Sequence, residues 1–448
     1  MSHPFHYFSL GLLTVFFLLP SPVEAREFRV TRISENGNAR NPSIGDSGLV
    51  AWQCITTNRE GKLAENARNI YIWQNGQARN ITEHEPHISG NCGVPRVFGD
   101  HVVFLGRFLG EDAGHPFVLH HPQKDQTMLE LESDYPDLFK RADIGFSDSD
   151  EETNAVEEAS AGMLDTNALN NVKHRRHLGN ADDVLLYQPN GDIKRITPGT
   201  HQFLAPVRSE TAVAFLCARG WPYGYEMLTW KPGDAAITQL TTNYYYVLNP
   251  YIQGNELVYQ AWDGSDYEIH LHDFTTGETR QITQNQFDDT NPVVQNGEVV
   301  WIAHPTINAE IFHYRDGTIR KLSEGSTENS APSLWNGRAV WQGLDDGDYE
   351  IYYFDGRRTI KLTSNTWDDL QPQINNGIIA WVSYVDHWNA EIMALDLSDN
   401  IAIRLTDNHA EDILPQTAAE RIVWQTVTET ESYIQMAEPA AARTQPIE

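Results

Sequence analysis

The chain contains little cysteine and few basic residues. Among 448 residues there are three cysteines, and 62 acidic residues outnumber 32 lysines and arginines, which gives a formal net charge of −30. Three cysteines are too few for a disulfide scaffold, although one bridge and an odd thiol would be compatible with an oxidising compartment. An acidic surface repels nucleic acids and anionic lipids and favours cations or basic partners. The composition therefore argues against nucleic-acid binding.

Long hydrophobic runs are also missing, apart from one near the N-terminus. Residues 8–19 are almost entirely apolar and are followed by Val23-Glu24-Ala25, a small-x-small pattern that predicts cleavage after Ala25. This run is too short to span a membrane comfortably, and no later stretch approaches that length. We expect residues 1–25 to be a signal peptide. The mature protein should then be a periplasmic or secreted monomer without membrane insertion.

The sequence lacks both helical periodicity and the common catalytic motifs. No segment shows a sustained helical pattern, which argues against an α/β fold. There is no Gly-x-Ser-x-Gly elbow, no His-Glu-x-x-His pair and no phosphate-binding loop. Enzymes that depend on those motifs are therefore excluded.

What the sequence does contain is one repeat of about 40–44 residues. Each unit opens on a proline: Pro42, Pro95, Pro206, Pro250, Pro292, Pro332, Pro372 and Pro415. An aromatic residue follows nine or ten positions later: Trp52, Phe104, Phe215, Tyr259, Trp301, Trp341, Trp381 and Trp424. Later units add a Glu before an apolar residue and close on an Ile/Leu-Thr/Ser pair, as in Glu350-Ile351 and Leu362-Thr363.

The pattern inside a unit predicts four short antiparallel strands. Asn336-Gly337 supplies the positive φ that a tight hairpin needs, and Asp355-Gly356 marks a second turn. Four strands repeated at this period predict an all-β fold, a β-propeller, with eight blades as our interpretation and seven or nine as alternatives. The last unit has no closing pair, so we expect an N-terminal strand at residues 28–34 to complete it.

The second unit is irregular. Residues 117–122 and 127–131 look like its third and fourth strands, and residues 183–187 with Ile196-Thr197 look like a further hairpin. Residues 132–182 lie between them and include the acidic segment 147–160, so we interpret them as an insert or a degraded unit. The propeller is then expected at residues 26–437, with a disordered tail at 438–448.

The unit Pro-x-x-x-x-Gly…Trp…Glu-Ile…Leu-Thr resembles the repeats of TolB-type propellers, which are related to PD40 and WD40-like repeats. The resemblance covers nearly the whole chain after residue 25 and implies a fold, but no role. TolB itself carries a separate α/β domain ahead of a smaller propeller, whereas the repeats here begin close to the predicted cleavage site. TolB's partnership with the outer-membrane lipoprotein machinery is therefore not carried over.

Loops that join strands two and three, or one blade to the next, should share one face of a propeller. Acidic residues concentrate in them: Asp263, Asp266, Asp345, Asp346, Asp348 and Asp386 inside blades, and Asp289, Asp369 and Asp412 before opening prolines. Converging carboxylates would suit Ca²⁺, which takes roughly six to eight oxygens. The alternative is that these aspartates support turns and strand ends. We keep Asp289, Asp369 and Asp412 as metal candidates.

In the early blades, the corresponding loops contain histidines and Cys92. His84 and His87 are further metal candidates, although their spacing fits no zinc motif. A disulfide between Cys54 and Cys92 is left open, because both fall in loops of neighbouring blades. Cys217 is interpreted as a buried thiol.

Aromatic residues fall into two groups. Those that recur in every unit are interpreted as packing between blades. The non-repeating ones are better ligand candidates: Trp221, Tyr223, the Tyr244-Tyr245-Tyr246 triplet, Trp262, Trp367 and Trp388. From these we keep Trp221, Tyr223, Tyr245, Trp262 and Trp388 as the predicted ligand-binding residues.

Two functions remain open on the sequence. The first is a non-catalytic exported scaffold that engages a protein or glycan through its loop-rich face. The alternative is a polysaccharide lyase that cleaves uronate-containing polymers, with His115, Arg219 and Tyr223 as its catalytic candidates. The scaffold is our primary hypothesis, because a chain of charge −30 would need a local basic pocket to hold a polyanion.

Overall fold

The computed structural model describes residues 26–35, 37–57, 63–83, 85, 87–89, 92–93, 95–108, 114–115, 182–199, 201–218, 224–242, 246–385 and 389–440. These residues form strands, turns and bends. They contain no helix, and therefore none long and apolar enough to cross a membrane. The predicted signal peptide at residues 1–25 and most of the predicted tail lie outside the described residues.

The strands follow one another in short hairpins along the described chain. Those of the first half are β1 (Phe28–Arg32), β2 (Ala39–Ile44), β3 (Val50–Thr57), β4 (Leu63–Gln74), β5 (Gln77–Asn80), β6 (Ile88–Ser89), β7 (Arg96–Phe98), β8 (His101–Phe108), β9 (Asp183–Tyr187), β10 (Ile193–Arg195), β11 (Phe203–Arg208), β12 (Val213–Ala218), β13 (Tyr225–Trp230), β14 (Thr238–Gln239), β15 (Val247–Gln253), β16 (Glu256–Trp262), β17 (Tyr267–Asp273) and β18 (Glu278–Gln281).

The second half is more regular. Its strands are β19 (Asp289–Gln295), β20 (Glu298–Ala303), β21 (Glu310–Arg315), β22 (Thr318–Lys321), β23 (Thr327–Trp335), β24 (Arg338–Asp345), β25 (Asp348–Phe354), β26 (Thr359–Lys361), β27 (Asp369–Asn375), β28 (Ile378–Val385), β29 (Asn389–Asp396), β30 (Ile401–Arg404), β31 (Glu411–Ala418), β32 (Arg421–Val427) and β33 (Ser432–Pro439).

Across the described residues these strands form eight antiparallel sheets, which are the blades of a propeller. Blades 1 to 7 are β2–β5, β7–β10, β11–β14, β15–β18, β19–β22, β23–β26 and β27–β30, and the short β6 also pairs with β8. Blade 8 has the order β1-β33-β32-β31, so an N-terminal strand completes the C-terminal blade. The predicted all-β propeller, its eight blades and its closing strand are confirmed.

One part of the strand assignment was wrong, and it concerns blade 2. On one edge β8 pairs directly with β9, with Val103 opposite Leu186, and β9 then pairs with β10. Residues 183–187 are therefore the third strand of this blade and not a further hairpin. The segment between β8 and β9 interrupts the blade between its second and third strands. Residues 117–131, which we expected to form those strands, lie outside the described residues.

The hydrophobic core is divided among the contacts between neighbouring blades. Eight clusters of buried residues are found in the described chain, and each combines side chains of two adjacent blades. The repeated aromatic residues are at most 3% exposed, which confirms their packing role. Burying one large apolar side chain contributes roughly 1.5–3 kcal/mol, so the ring is stabilised along its whole circumference.

The first strand of most blades carries a bulge at the residue before the opening proline. That residue has positive φ and the strand register shifts there, as at Asn291 (52°) and Ala331 (53°). A glutamine of the preceding blade caps several of these bulges: the amide N of Asn291 donates to Gln260 Oε1 at 2.9 Å, and that of Gln371 donates to Gln342 Oε1 at 2.7 Å. The bulges therefore help to fix one blade against the next.

Candidate functional site

The three aspartates kept as metal candidates each bind an indole of their own blade. Asp289 Oδ1 accepts from Trp301 Nε1 at 2.7 Å, and the pairs Asp369–Trp381 and Asp412–Trp424 have distances of 3.1 and 2.9 Å. The other oxygen of each accepts from an asparagine four residues earlier: Asn285, Asn365 and Asn408. Each carboxylate thus has a structural role. Their assignment as metal ligands stays a prediction.

A second set of buried acids stands at or near the start of the third strand. Four of them are paired with a basic side chain on the fourth strand: Asp183–Arg195 (3.1 Å), Glu310–Lys321 (2.5 Å), Glu350–Lys361 (3.2 Å) and Glu391–Arg404 (3.0 Å). The geometry repeats, because the base always lies opposite the residue two positions after the acid. Lys361 is in register with Tyr352, and Arg404 with Met393. Buried negative charge is thereby neutralised inside these blades.

Blade 4 departs from this arrangement. Its third-strand acid is Glu268, and Gln281 occupies the position of the base, in register with His270. Two more acids, Asp263 and Asp266, stand in the loop between β16 and β17, and one oxygen from each of these three carboxylates lies within 4.8 Å of the others. We call Asp263, Asp266 and Glu268 the acidic cluster.

The pKa values of the acidic cluster are shifted in opposite directions. Asp266 and Glu268 are 5% and 0% exposed, and desolvation, reinforced by the charge of Asp263, raises the pKa of both carboxyls. The exposed Asp263 accepts hydrogen bonds from the backbone N and the hydroxyl of Ser265, both at 2.9 Å. Hydrogen bonds from Ser265 and Asp266 outweigh its partial burial and lower its pKa. The cluster therefore combines one readily ionised carboxylate with two that are costly to ionise.

Four aromatic residues lie beside the cluster at the same end of blades 3 and 4: Tyr225, Tyr246, Trp262 and Tyr267. We call them the aromatic patch. Tyr225 and Tyr267 precede the third-strand glutamate, as Tyr349 does in blade 6. The Trp262 and Tyr267 rings meet edge to face at 5.3 Å, and the rings of Tyr225 and Tyr246 are 6.4 Å apart. The amide N of Trp262 donates to the carbonyl of Tyr246 at 2.9 Å, which joins the two loops. All four side chains are half-buried.

Asp288 adds a carboxylate between the aromatic patch and the acidic cluster. Its Oδ1 accepts from the backbone N of Tyr267 at 3.0 Å. Burial, the neighbouring Tyr246 and Asp288 together raise the pKa of the Tyr267 phenol. The hydroxyl of Tyr267 is therefore neutral at physiological pH and can donate a hydrogen bond to a ligand.

The structure places only part of the predicted ligand and catalytic sets. Trp262 lies in the aromatic patch. Trp221, Tyr223, Tyr245, Trp388 and Arg219 lie outside the described residues. His115 stacks on Trp230 with ring centroids 4.9 Å apart, and its Nδ1 is 3.4 Å from the carbonyl oxygen of Ala235. Both partners belong to the β13–β14 hairpin, at the opposite end of β13 from Tyr225.

The remaining candidates are separated in the structure. His87 lies 6.0 Å from Phe108, ring centroid to ring centroid, and His84 is outside the described residues. All three cysteines are buried free thiols, so the disulfide left open for Cys54 and Cys92 is not present. Cys54 belongs to the core between blades 8 and 1 and Cys92 to the core between blades 1 and 2. Burial raises the pKa of Cys54 to about 11 and that of Cys92 to about 12, so neither is a reactive thiolate.

With the blades and their loops located, the fold is clear. The chain is an eight-bladed β-propeller. No protein-family model matches it, and no curated protein matches it either. The β-propeller expected from the TolB-like repeats is confirmed by the eight four-stranded blades. TolB from Acinetobacter baumannii is among the solved structures that resemble the chain, with 13% identity, a TM-score of 0.34 and coverage of 51% of this chain and 61% of TolB.

Other solved structures resemble more of the chain. Dipeptidyl peptidase 4 from Porphyromonas gingivalis has 10% identity and a TM-score of 0.52, and the match covers 90% of this chain and 58% of the peptidase. The computationally designed Ika8 protein has 11% identity and a TM-score of 0.50, with coverage of 89% and 96%. This chain thus spans little more than half of the peptidase. At such identities the likeness shows the propeller fold alone.

Sequence reasoning missed part of this site. Tyr225 and Tyr267 were not among the ligand candidates, although each stands next to a strand end on the loop-rich side, and Tyr246 was considered only as part of the Tyr244-Tyr245-Tyr246 triplet. Glu268 was treated only as a repeat position. The sequence does show that position 281 lacks a basic residue. In blades 2, 5, 6 and 7 a basic residue stands two positions before the closing Thr or Ser, and in blade 4 this position is glutamine.

Proposed function

We propose that this protein is an exported, non-catalytic binding scaffold that engages a glycan or a protein through the aromatic patch. One observation carries the proposal. The patch gathers four half-buried aromatic side chains at one end of two neighbouring blades, and Tyr246 and Trp262 stand outside the repeat pattern, whereas the aromatic residues that recur in every unit are buried between blades. Half-buried tyrosine and tryptophan offer a flat apolar surface and a polar group at low entropic cost, which suits recognition of sugar rings and protein side chains.

The charges around the patch restrict the ligand. Asp263 and Asp288 flank it as hydrogen-bond acceptors, and the chain carries a net charge of −30. Carboxylates accept from sugar hydroxyls or amines and repel polyanions. We therefore propose a ligand without net negative charge, either a neutral or amino-bearing glycan or a basic protein segment. Export rests on the predicted signal peptide at residues 1–25.

No described residue favours the lyase alternative. That hypothesis needs His115 near Arg219 and Tyr223. His115 packs on Trp230 in the β13–β14 hairpin, and Arg219 and Tyr223 lie outside the described residues. The carboxylates of Asp263 and Asp288, which flank the patch, would also repel the negatively charged uronate polymers. The scaffold hypothesis is therefore retained.

The test uses the mature protein on an array of neutral, amino and uronate glycans, together with affinity capture from an extract of the source cells. Trp262→Ala should weaken binding of the retained ligand at least about tenfold, as expected for a central aromatic contact. The matched control is Trp335→Ala, which removes a partly buried tryptophan at the β23–β24 hairpin, away from the patch.

Equal binding by wild type and Trp262→Ala would refute the role of the patch. Release of unsaturated products from the uronate panel, followed by ultraviolet absorbance, would instead support the lyase. In that event, His115→Ala should abolish the release.

A further inference from the structure

We propose that the acidic cluster of blade 4 is a calcium-binding site in which Asp263, Asp266 and Glu268 are the protein ligands. The three carboxylates come from one loop and the strand that follows it, and one oxygen of each lies within 4.8 Å of the others. The site is independent of the proposed ligand function, although it lies next to the aromatic patch.

Proximity of acids alone does not make a metal site, so the state of their buried oxygens is decisive. Asp266 Oδ2 and Glu268 Oε2 are both inaccessible to solvent, and neither accepts a hydrogen bond from any residue that the structure describes. A buried carboxylate oxygen without a partner costs free energy. A cation that contacts both oxygens would remove that cost.

The other blades show how the same position is normally neutralised. Glu350 and Glu391 each leave one buried oxygen without a hydrogen bond, but Lys361 and Arg404 neutralise them through the other oxygen. In blade 4 the corresponding residue is Gln281, which carries no charge. Blade 4 therefore has additional carboxylates next to Glu268, but it lacks the basic residue that neutralises the equivalent glutamate in blades 6 and 7.

Blade 3 shows that glutamine at this position is not sufficient. Gln239 stands there in register with Leu228, and its Nε2 donates to the carbonyl of Thr241 at 2.7 Å. The blade 3 loop, residues 219–225, contains no acidic residue, so Glu226 is not joined by others from its own loop. Acid enrichment and loss of the base coincide in blade 4, and this combination points to an external cation.

The nearest described residues supply no internal counter-ion. Asp288 lies close enough for its charge to act on Asp266, so it adds to the negative potential. At neutral pH, the potential of the cluster therefore attracts cations.

The chemistry of the ligands suits Ca²⁺ better than Mg²⁺. The cluster offers carboxylate oxygens from one loop and the strand that follows it, and they lie within 4.8 Å of one another. Ca²⁺ accepts roughly six to eight such oxygens in flexible geometry, whereas Mg²⁺ demands near-ideal octahedral geometry and keeps several of its waters. Waters would complete the coordination.

Terbium luminescence and thermal unfolding of the mature protein test the site. Tb³⁺ replaces Ca²⁺ in oxygen sites, and Trp262 next to Asp263 would sensitise its emission. We expect saturable emission that Ca²⁺ displaces and Mg²⁺ does not, and a higher unfolding midpoint in Ca²⁺. Asp266→Asn should weaken Tb³⁺ and Ca²⁺ binding at least about tenfold, because it removes one of three charged ligands.

Gln281→Lys is the sharper variant, because it introduces the base found at this position in blades 5 and 6. It should fold, raise the unfolding midpoint in chelator, and lose the response to Ca²⁺. Asp348→Asn, at the equivalent loop position of blade 6, is the matched control and should respond to Ca²⁺ like wild type. The proposal is wrong if Ca²⁺ changes neither readout in the wild type, or if Asp266→Asn and Gln281→Lys respond as the wild type does.

Discussion

At the scale of single residues, the buried aspartates show how this fold uses acidic side chains. Asp289 is 1% exposed and accepts hydrogen bonds from Trp301 and Asn285. Desolvation still dominates and raises its pKa to about 7, and burial also raises the pKa of Asp369 and Asp412. In blade 6 the neutral Asn329 takes the place of the aspartate, and its Oδ1 accepts from Trp341 Nε1 at 3.0 Å in the same geometry.

The raised pKa of Asp289 predicts that this one group stabilises the protein more at mildly acidic pH than at neutral pH. An unfolded aspartate has a pKa of about 4, so between about pH 4 and pH 7 folded Asp289 holds a proton that the unfolded chain releases. The contribution of Asp289 to the free energy of unfolding should therefore fall as pH rises through this window, by up to about 4 kcal/mol, while buried histidines such as His270, whose pKa is lowered, contribute the opposite slope.

Urea unfolding at a series of pH values, with chelator present, measures this slope. Asp289→Asn keeps the acceptor for Trp301, as Asn329 does for Trp341, but cannot titrate. It should be less stable overall, because Asn285 loses its acceptor, and its stability should depend less on pH. An unchanged slope in this variant would show that Asp289 is not the group responsible.

Residue roles were only partly predictable from the sequence. Recurrence identified the buried aromatic residues, because every unit needs them between blades. It also directed attention to Asp289, Asp369 and Asp412 as an acidic set, but their indole partners stand twelve residues later, on the next strand. Each aspartate and its tryptophan are brought together only by the register of the hairpin, so their hydrogen bond could not be predicted from the sequence.

At the scale of elements, the feature that recurs in most blades is the β-bulge at the residue before the opening proline. Proline disfavours the right-handed helical region in the preceding residue, and the first strands place that residue at positive φ with a register shift. Asparagine tolerates this conformation at positions 41, 249 and 291, but alanine occupies it at 331 with φ 53°. An L-residue without a side-chain hydrogen bond is strained there.

Ala331→Gly should consequently stabilise the protein by about 0.5–1 kcal/mol, because glycine adopts positive φ without steric cost. The unfolding midpoint in urea measures the change. Ala339→Gly, in the regular part of β24 where Ala339 is fully buried, should destabilise by about 1 kcal/mol and serves as the control. Destabilisation by both variants would mean that the bulge does not strain Ala331.

Element order was predictable wherever chain neighbours are also strand neighbours. Blades 3 to 7 follow that rule in all four strands. In blade 2 the second strand ends at Phe108 and its partner begins at Asp183, and the amide N of Phe108 is 3.3 Å from Asp183 Oδ2 across that gap. Pairing across so long an interruption is decided by blade packing and is not encoded in local spacing.

At the scale of the whole molecule, the eight inter-blade cores form a closed circuit. Blade 8 completes it by packing on blade 7 on one side and on blade 1 on the other. The circuit depends on β1, which pairs with β33 through Val30–Ala437 and four further residue pairs. Arg26 ties the same segment to Asp396 at 2.7 Å, so the N-terminal strand is held by both sheet pairing and charge.

Removal of residues 26–34 from the mature protein should therefore open the ring. β33 would become an edge strand, the buried Ile33 would be lost from the core shared with blade 1, and the hydrogen bond that Ile434 N donates to the buried Ser34 would be lost. We expect the thermal midpoint to fall by more than about 5 °C and the protein to self-associate through the exposed edge. Scanning calorimetry and size-exclusion chromatography with light scattering report the two effects.

Arg29→Ala, which removes an exposed β1 side chain while keeping the strand, should leave both unchanged. A monomeric deletion variant with the wild-type midpoint would show that the seven other blades suffice to hold the ring closed.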